Sequence, residues 1–151
     1  MKLALPDALR TGIEAQARAA YPRECCGLLE GVRDGDVAQV LAFHPARNIA
    51  AANDRFEIDP GDHFAALKAA RAHGRAIIGC YHSHPGGAAV PSAIDRAGAV
   101  DRGFLWLIAA PKTAEGPVAL SAYGYSGADF FPLEMRAVGA DFVTSSEKPR
   151  K

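Results

Sequence analysis

The chain has 151 residues, the length of one domain, and an ordinary soluble composition with 49% hydrophobic and 23% charged residues. Basic and acidic residues both number 17, so the formal net charge is zero and no basic excess favours a nucleic-acid binder. No stretch approaches the ~20 apolar residues that cross a bilayer, and Pro6 and Asp7 break the amino-terminal apolar run, unlike a secretory signal. Three cysteines are too few for a disulfide framework, so we expect a cytoplasmic protein.

Hydrophobic periodicity and turn residues predict alternating helices and strands. Apolar residues recur every four positions over residues 7–20, which predicts an amphipathic helix that ends before Pro22. Asp59 and Pro60 are typical of a helix start, and that helix is predicted to bury Phe64, Leu67 and Ala70 and to end at Gly74. The other predicted elements are strands at 25–30, 37–43, 76–81, 104–109, 118–125 and 130–138, and a short helix at 92–101.

These elements predict an α/β (α+β) fold with a curved, mostly antiparallel sheet flanked by two principal helices. No linker divides the chain, so residues 1–143 are expected to form a single domain. Residues 144–151 are polar and basic, and we expect them to be a disordered tail because they have little to bury.

The segment around residues 82–95 carries a pattern typical of a metal site. His82 and His84 are two residues apart at the end of a predicted strand, so their imidazoles point to the same side. Ser92 and Asp95 are three apart at a predicted helix start and share one helical face. Two histidines and a carboxylate can hold zinc and leave a fourth position for water. Each half alone has a simpler interpretation, because a His-x-His pair is a weak signal and Ser-x-x-Asp is also a helix-capping pattern.

The spacing as a whole resembles the signature of the JAMM, or MPN-plus, metalloprotease family. That signature is an upstream glutamate, then His-Ser/Thr-His-Pro, six residues, Ser, two residues and Asp. His82 to Pro85, Ser92 and Asp95 match it without insertion, and Glu24 lies in a similar upstream segment. The resemblance covers about residues 5–125 and is greatest to the small, stand-alone prokaryotic branch. It implies a barrel-like (cytidine-deaminase-like, or MPN) sheet with two helices.

The resemblance also implies a role for each matching residue. His82, His84 and Asp95 would bind one Zn²⁺ per chain, and Glu24 would act as the general base on the zinc-activated water. Ser92 would orient that water or donate a hydrogen bond to the developing oxyanion. From the residues alone, Glu30 and Glu57 remain rivals of Glu24 as the base.

The three cysteines, and the histidines outside the proposed ligand set, are expected to be structural or exposed. Cys25, Cys26 and Cys80 lie in apolar strand segments without a Cys-x-x-Cys pattern, and small buried side chains are the simplest interpretation. Ser83 lies between the two ligand histidines and is expected to point to the other side of its strand. The other histidines, which lack partner spacing, are His44, His63 and His73.

The family resemblance implies hydrolysis of peptide or isopeptide bonds next to the carboxyl-terminal Gly-Gly of a ubiquitin-like protein. For the small prokaryotic branch, the expected substrate is a ubiquitin-like sulfur-carrier protein, in sulfur transfer or cysteine biosynthesis. A non-catalytic MPN scaffold and a zinc hydrolase acting on another amide substrate are the alternatives. No membrane or nucleic-acid partner is expected, and only the basic tail would favour the latter. The sequence leaves both a monomer and a homodimer open.

Overall fold

The computed structural model describes residues 1–138, so the predicted polar tail at 144–151 lies outside the described residues. Helix α1 matches its predicted bounds, as do the last two strands. In chain order the elements are β1 (Lys2–Pro6), α1 (Asp7–Ala20), β2 (Cys26–Asp34), β3 (Val37–Ala46), α2 (Pro60–Ala72), β4 (Ala76–Ser83), α3 (Ala93–Gly98), β5 (Leu105–Pro111), β6 (Val118–Tyr125) and β7 (Phe130–Val138).

The seven strands form one closed sheet in the order β1-β3-β2-β4-β5-β6-β7. Strand pairs β2–β3, β2–β4, β5–β6 and β6–β7 are antiparallel, whereas β1–β3, β1–β7 and β4–β5 are parallel. The predicted mixed α and β fold with a mostly antiparallel, barrel-like sheet is therefore confirmed. The sequence analysis missed β1, which closes the sheet by pairing with both β3 and β7.

Helix α1 packs against the largest apolar cluster of the molecule. Its side chains Ile13 and Ala17 are fully buried there, beside Leu29 of β2 and Leu107 of β5. Removing this apolar surface from water contributes about 25 cal/mol per Å² to stability. The predicted amphipathic face of α1 is thus the face that the sheet buries.

Helix α2 buries a different face from the predicted one. Asp59 caps it as expected, since its side chain accepts a hydrogen bond from the main-chain N–H of Asp62. However, Ala66 and Ala70 are buried, while Phe64 is 64% exposed and Leu67 is 44% exposed. Alanine side chains let the helix backbone approach the sheet closely, so the larger apolar residues remain outside. The prediction of Phe64 and Leu67 as the buried face was therefore wrong, and only Ala70 was correct.

Strand β4 lies between β2 and β5 and ends where β2 begins. In the antiparallel β2–β4 ladder, Cys26 is opposite His82, and in the parallel β4–β5 ladder His82 is beside Ile108. The residues just before β2 therefore lie next to the end of β4. Within residues 1–138, no helix is long and apolar enough to cross a membrane.

Candidate metal centre

Three predicted ligands meet at the end of β4. The Nε2 atoms of His82 and His84 lie 2.9 Å apart. The Asp95 carboxylate contacts both, with Oδ1 at 3.0 Å from His82 Nε2 and Oδ2 at 3.1 Å from His84 Nε2. Two imidazole nitrogens and a carboxylate thus converge on one point, as the alternation along β4 predicted for the two histidines.

Helix α3 positions Asp95 through a capping box. The Ser92 hydroxyl oxygen accepts from the Asp95 main-chain N–H at 3.0 Å, and the Ser92 main-chain N–H donates to Asp95 Oδ2 at 2.9 Å. The capping interpretation of this pair is therefore confirmed, and the capped Asp95 also contacts both histidines. Because the Ser92 oxygen accepts that bond, its own proton remains available to donate.

The hydrogen bonds of His84 fit a cation at this point. Nδ1 of His84 lies 3.0 Å from the carbonyl oxygen of Ala88, which can only accept, so Nδ1 carries the proton. In the neutral ring, Nε2 then presents a lone pair toward Asp95 Oδ2, and two facing lone pairs repel each other. Either a second proton or a shared cation relieves this repulsion. A histidine that donates its second N–H to a carbonyl is also the usual arrangement in metal sites.

His82 is held in another way. It is fully buried, and among the described residues its Nδ1 atom has no hydrogen-bond partner. The ring of Phe56 stacks on it at a centroid distance of 4.3 Å and an interplanar angle of 23°, and Trp106 meets it edge-on at 5.7 Å. Aromatic packing on the ring, together with the Asp95 contact at Nε2, therefore orients His82.

Glu24 lies beside the same point and is 7% exposed. Its carboxylate and one nitrogen from each of His82 and His84 lie within 4.8 Å of one another. Ser83 holds this segment, because its hydroxyl accepts from the Cys25 main-chain N–H at 2.8 Å and its own main-chain N–H donates to the Cys25 carbonyl. The expected structural role of Ser83 agrees with these bonds.

Glu24 and Asp95, the two carboxylic acids of the site, differ in pKa. Burial raises the pKa of Glu24 from 4.5 to about 7, although the nearby His84 opposes this change. Burial alone would also raise the pKa of Asp95, but hydrogen bonds with His82 and His84 hold that pKa far below its usual range. The lowered pKa favours the anionic form of Asp95, which is suited to bind a cation, and the raised pKa of Glu24 favours proton exchange near neutral pH.

Two neighbouring cavities open at the site. One, of about 490 Å³, is lined by Glu24, His84 and Ser92, among others. The second, of about 600 Å³, is mostly apolar and is lined by Phe56, Phe104, Trp106 and Asp95, among others. Ile94 of α3 lines both cavities, so an extended ligand could occupy one while it reaches the other.

Glu30, the first rival base, lies in a separate cluster. Its carboxylate is fully buried and contacts His44 at 3.0 Å, His73 at 3.1 Å and Arg75 at 2.9 Å. His44 and His73 show no regular spacing from another site residue in the sequence, so their contacts with Glu30 could not be predicted from it. Both histidines reach Glu30 from neighbouring parts of the fold.

The other residues considered from the sequence lie around the site rather than in it. Glu57 is exposed and, with His63, lines the apolar cavity. Cys25, Cys26 and Cys80 are buried free thiols. The stacking role of Phe56 was missed, because this residue lies outside the predicted elements and the sequence gives no sign of what its ring contacts.

Comparison with known proteins agrees with the fold and identifies a family. The family model described as prokaryotic homologs of the JAB domain matches residues 6–123. The desampylase of Haloferax volcanii is 34% identical over 139 residues, which cover 89% of this chain and 95% of that protein.

Two solved structures share the architecture. A protein from Desulfitobacterium hafniense superimposes with a TM-score of 0.81 at 31% identity, over 91% of this chain and 93% of its own. A JAB1/MPN domain protein from Archaeoglobus fulgidus has a TM-score of 0.50 at 21% identity, over 89% and 98% of the two chains, and it supports the fold alone. The family match spans α1, the Glu24 segment, β4 and α3, and from it we conclude that the chain belongs to the prokaryotic JAB branch of the JAMM/MPN family.

Proposed function

We propose that this protein is a zinc-dependent metallopeptidase that hydrolyses peptide or isopeptide bonds at the carboxyl-terminal Gly-Gly of a ubiquitin-like sulfur-carrier protein. The observation that carries the proposal is the convergence of the His82, His84 and Asp95 donor atoms within 3.1 Å of one another, beside a buried glutamate. Family membership and the 34% identity to a desampylase support the reaction and the ubiquitin-like substrate.

His82, His84 and Asp95 would hold the zinc ion. Two nitrogens and one oxygen are a ligand set that catalytic zinc sites use, with one position open to solvent or substrate. When bound, zinc lowers the pKa of a water ligand to about 7 and polarises a carbonyl group. The anionic Asp95 would neutralise part of the charge of the ion, while the two histidines remain neutral.

Glu24 would be the general base and Ser92 the hydrogen-bond donor. Burial raises the pKa of Glu24 to about 7 in the metal-free protein, and this environment would favour transfer of a proton from water to Glu24 and then to the leaving amine. Ser92 lines the same cavity, and its hydroxyl would donate a hydrogen bond to the oxyanion of the tetrahedral intermediate. Loss of one such donor typically slows a reaction by about 10²–10³-fold.

The two cavities fit an extended peptide with a glycine terminus. The cavity at Glu24, His84 and Ser92 would receive the scissile bond, where residues without side chains allow close approach to the metal ligands. The apolar cavity behind Ile94 would receive an apolar side chain further back along the same tail. The unpaired cysteines agree with a reducing compartment such as the cytoplasm.

The alternatives make different predictions about this site. A non-catalytic scaffold has no need of a complete ligand set or of a buried glutamate with a pKa of about 7. A zinc hydrolase that acts on other amide substrates would use the same residues, so only substrate preference separates it from the leading proposal.

The test is cleavage of a sulfur-carrier protein extended beyond its Gly-Gly terminus, followed by intact mass. We expect a product that ends at Gly-Gly, loss of activity with a chelator and recovery with added zinc. The matched control is the same carrier with Ala-Ala in place of Gly-Gly, which should be cleaved much more slowly. Equal cleavage of both would favour a general amidase, and a zinc-loaded protein that cleaves neither would contradict the proposed substrate.

A further inference from the structure

The side chain of Asn48 makes four hydrogen bonds at the rim of the metal centre. Its amide nitrogen donates to the main-chain carbonyl oxygens of Glu24 and Arg55, at 3.1 Å each. Its amide oxygen accepts from the main-chain N–H groups of Ala50 and Glu57, at 3.0 Å each. An amide has two donor hydrogens and one oxygen with two lone pairs, so Asn48 uses its full hydrogen-bonding capacity.

These partners place Asn48 at the neck of a loop formed by residues 50–56. The two ends of the loop are joined by an isolated antiparallel bridge between Asn48 and Ile58 and by a main-chain bond from Ile49 to Glu57 at 2.9 Å. The Asn48 side chain spans this neck and then reaches outside the loop to Glu24. It is thus a direct link between the loop and the segment that carries the proposed base.

The same loop supplies Phe56, whose ring stacks on His82. Phe56 follows directly after Arg55, the residue whose carbonyl Asn48 binds. One amide group therefore connects the main chain of Glu24 with the main chain next to Phe56. This stacking is one of the contacts that orient His82, whose Nδ1 has no hydrogen-bond partner among the described residues.

We propose that Asn48 is a positioning residue, which fixes the proposed base Glu24 and the ring of Phe56 relative to each other around His82. The inference rests on the proposed function, since Glu24 needs a fixed position only if it transfers a proton. Aspartate has the same shape but lacks both donors, and alanine lacks all four bonds. A misplacement of about 1 Å at such a site costs about 10²-fold in rate.

A loop that Asn48 merely stabilises would behave differently. In that case, substitution would lower the thermal midpoint and leave the kcat of the folded enzyme unchanged. The test therefore compares kcat, KM, zinc content and thermal midpoint for Asn48→Asp and Asn48→Ala. The matched control is Gln39→Glu, which makes the same amide-to-carboxylate change on β3, away from the metal centre.

We expect both Asn48 variants, assayed with saturating zinc and well below their thermal midpoints, to lose about 10- to 100-fold in kcat per folded molecule, with KM close to that of the parent protein. The control should keep its activity. Retention of kcat within about twofold in both variants would overturn the proposal, and so would a loss of kcat that disappears when the rate is expressed per zinc-loaded, folded molecule.

Hydrogen exchange separates this inference from the proposed function. We expect faster amide exchange in both variants over residues 49–57 and over residues 23–26, whichever substrate the enzyme uses. If the parent protein cleaves no carrier, the proposed function fails, while faster exchange in both segments would still support the link. Unchanged exchange in residues 23–26 would overturn the inference even if the carrier is cleaved.

Discussion

Two buried glutamates on the same stretch of chain, Glu30 and the proposed base Glu24, show how environment changes the properties of a carboxylate. Glu30, in the middle of β2, is fully buried and contacts His44, His73 and Arg75. Burial would raise its pKa, but hydrogen bonds from these three groups keep that pKa below its usual value. Glu24, just before β2, is nearly as buried, yet burial prevails and its pKa is raised to about 7.

The pKa values of the two glutamates differ because their hydrogen-bond partners differ, and not because one is buried more deeply. A buried carboxylate with three charge-compatible donors stays ionised and joins the elements that supply those donors, here β2, β3 and the residues after α2. A buried carboxylate without such compensation is strained as an anion and can exchange a proton near neutral pH. The same residue type therefore holds the sheet together at Glu30 and is available for proton transfer at Glu24.

The largest expected effect follows from removing the reactive carboxylate. Glu24→Gln keeps the shape of the side chain but cannot accept a proton, so we expect cleavage to slow by about 10³-fold. Metal analysis and steady-state kinetics on the carrier substrate would measure this, and zinc content should be unchanged. Glu30→Gln is the matched control, and a similar loss of kcat in that variant would erase the distinction between the two glutamates.

Stability, unlike activity, should fall when Glu30 rather than Glu24 is replaced. Glu30→Gln removes the anion that pairs with Arg75 and the two histidines, and we expect it to lower the free energy of unfolding by about 3 kcal/mol at pH 7. Because the folded pKa of Glu30 is lowered, this contribution is present above the unfolded pKa and is lost as the pH falls through the folded value. Denaturant unfolding at pH 7 and pH 3 measures it, and a cost that is equal at both pH values would contradict the ion-pair account.

A smaller effect on the free energy of unfolding should have the opposite sign at Glu24. The folded pKa of Glu24 is raised, so ionising it costs stability as the pH rises from 4.5 to about 7, and the full cost remains above that range. Glu24→Gln should therefore stabilise the metal-free protein by about 2 kcal/mol at pH 8, with no gain at pH 4. Urea unfolding in the presence of a chelator provides the measurement. Destabilisation at pH 8 would mean that Glu24 has stabilising partners in the folded protein.

Local pattern predicted the directions of four side chains of the candidate site, and the family resemblance predicted that they meet. The two-residue spacing of His82 and His84 on a strand and the three-residue spacing of Ser92 and Asp95 at a helix start fix directions within each element. The structure brings these two pairs together, as the resemblance implied. The position of Glu24 beside them depends on the β2–β4 register, which a single sequence does not reveal.

What escaped prediction depends on contacts between distant parts of the chain. Strand β1 has only five residues, and both of its partners pair with it in parallel, which leaves no hairpin turn as a signal. The Glu30 cluster joins β2, β3 and the segment between α2 and β4. The buried face of α2 is made of alanines, whose low hydrophobicity gave them less weight than Phe64 and Leu67 in the periodic pattern.

Closure of the sheet by β1 also bears on how the protein behaves at high concentration. In an open sheet, the outermost strands present unpaired N–H and C=O groups that can pair with another molecule and begin aggregation. Here each of the seven strands of the described residues has a neighbour on both sides. Truncation of the first six residues would expose β3 and β7 as new edges, and with them the main risk of intermolecular strand pairing.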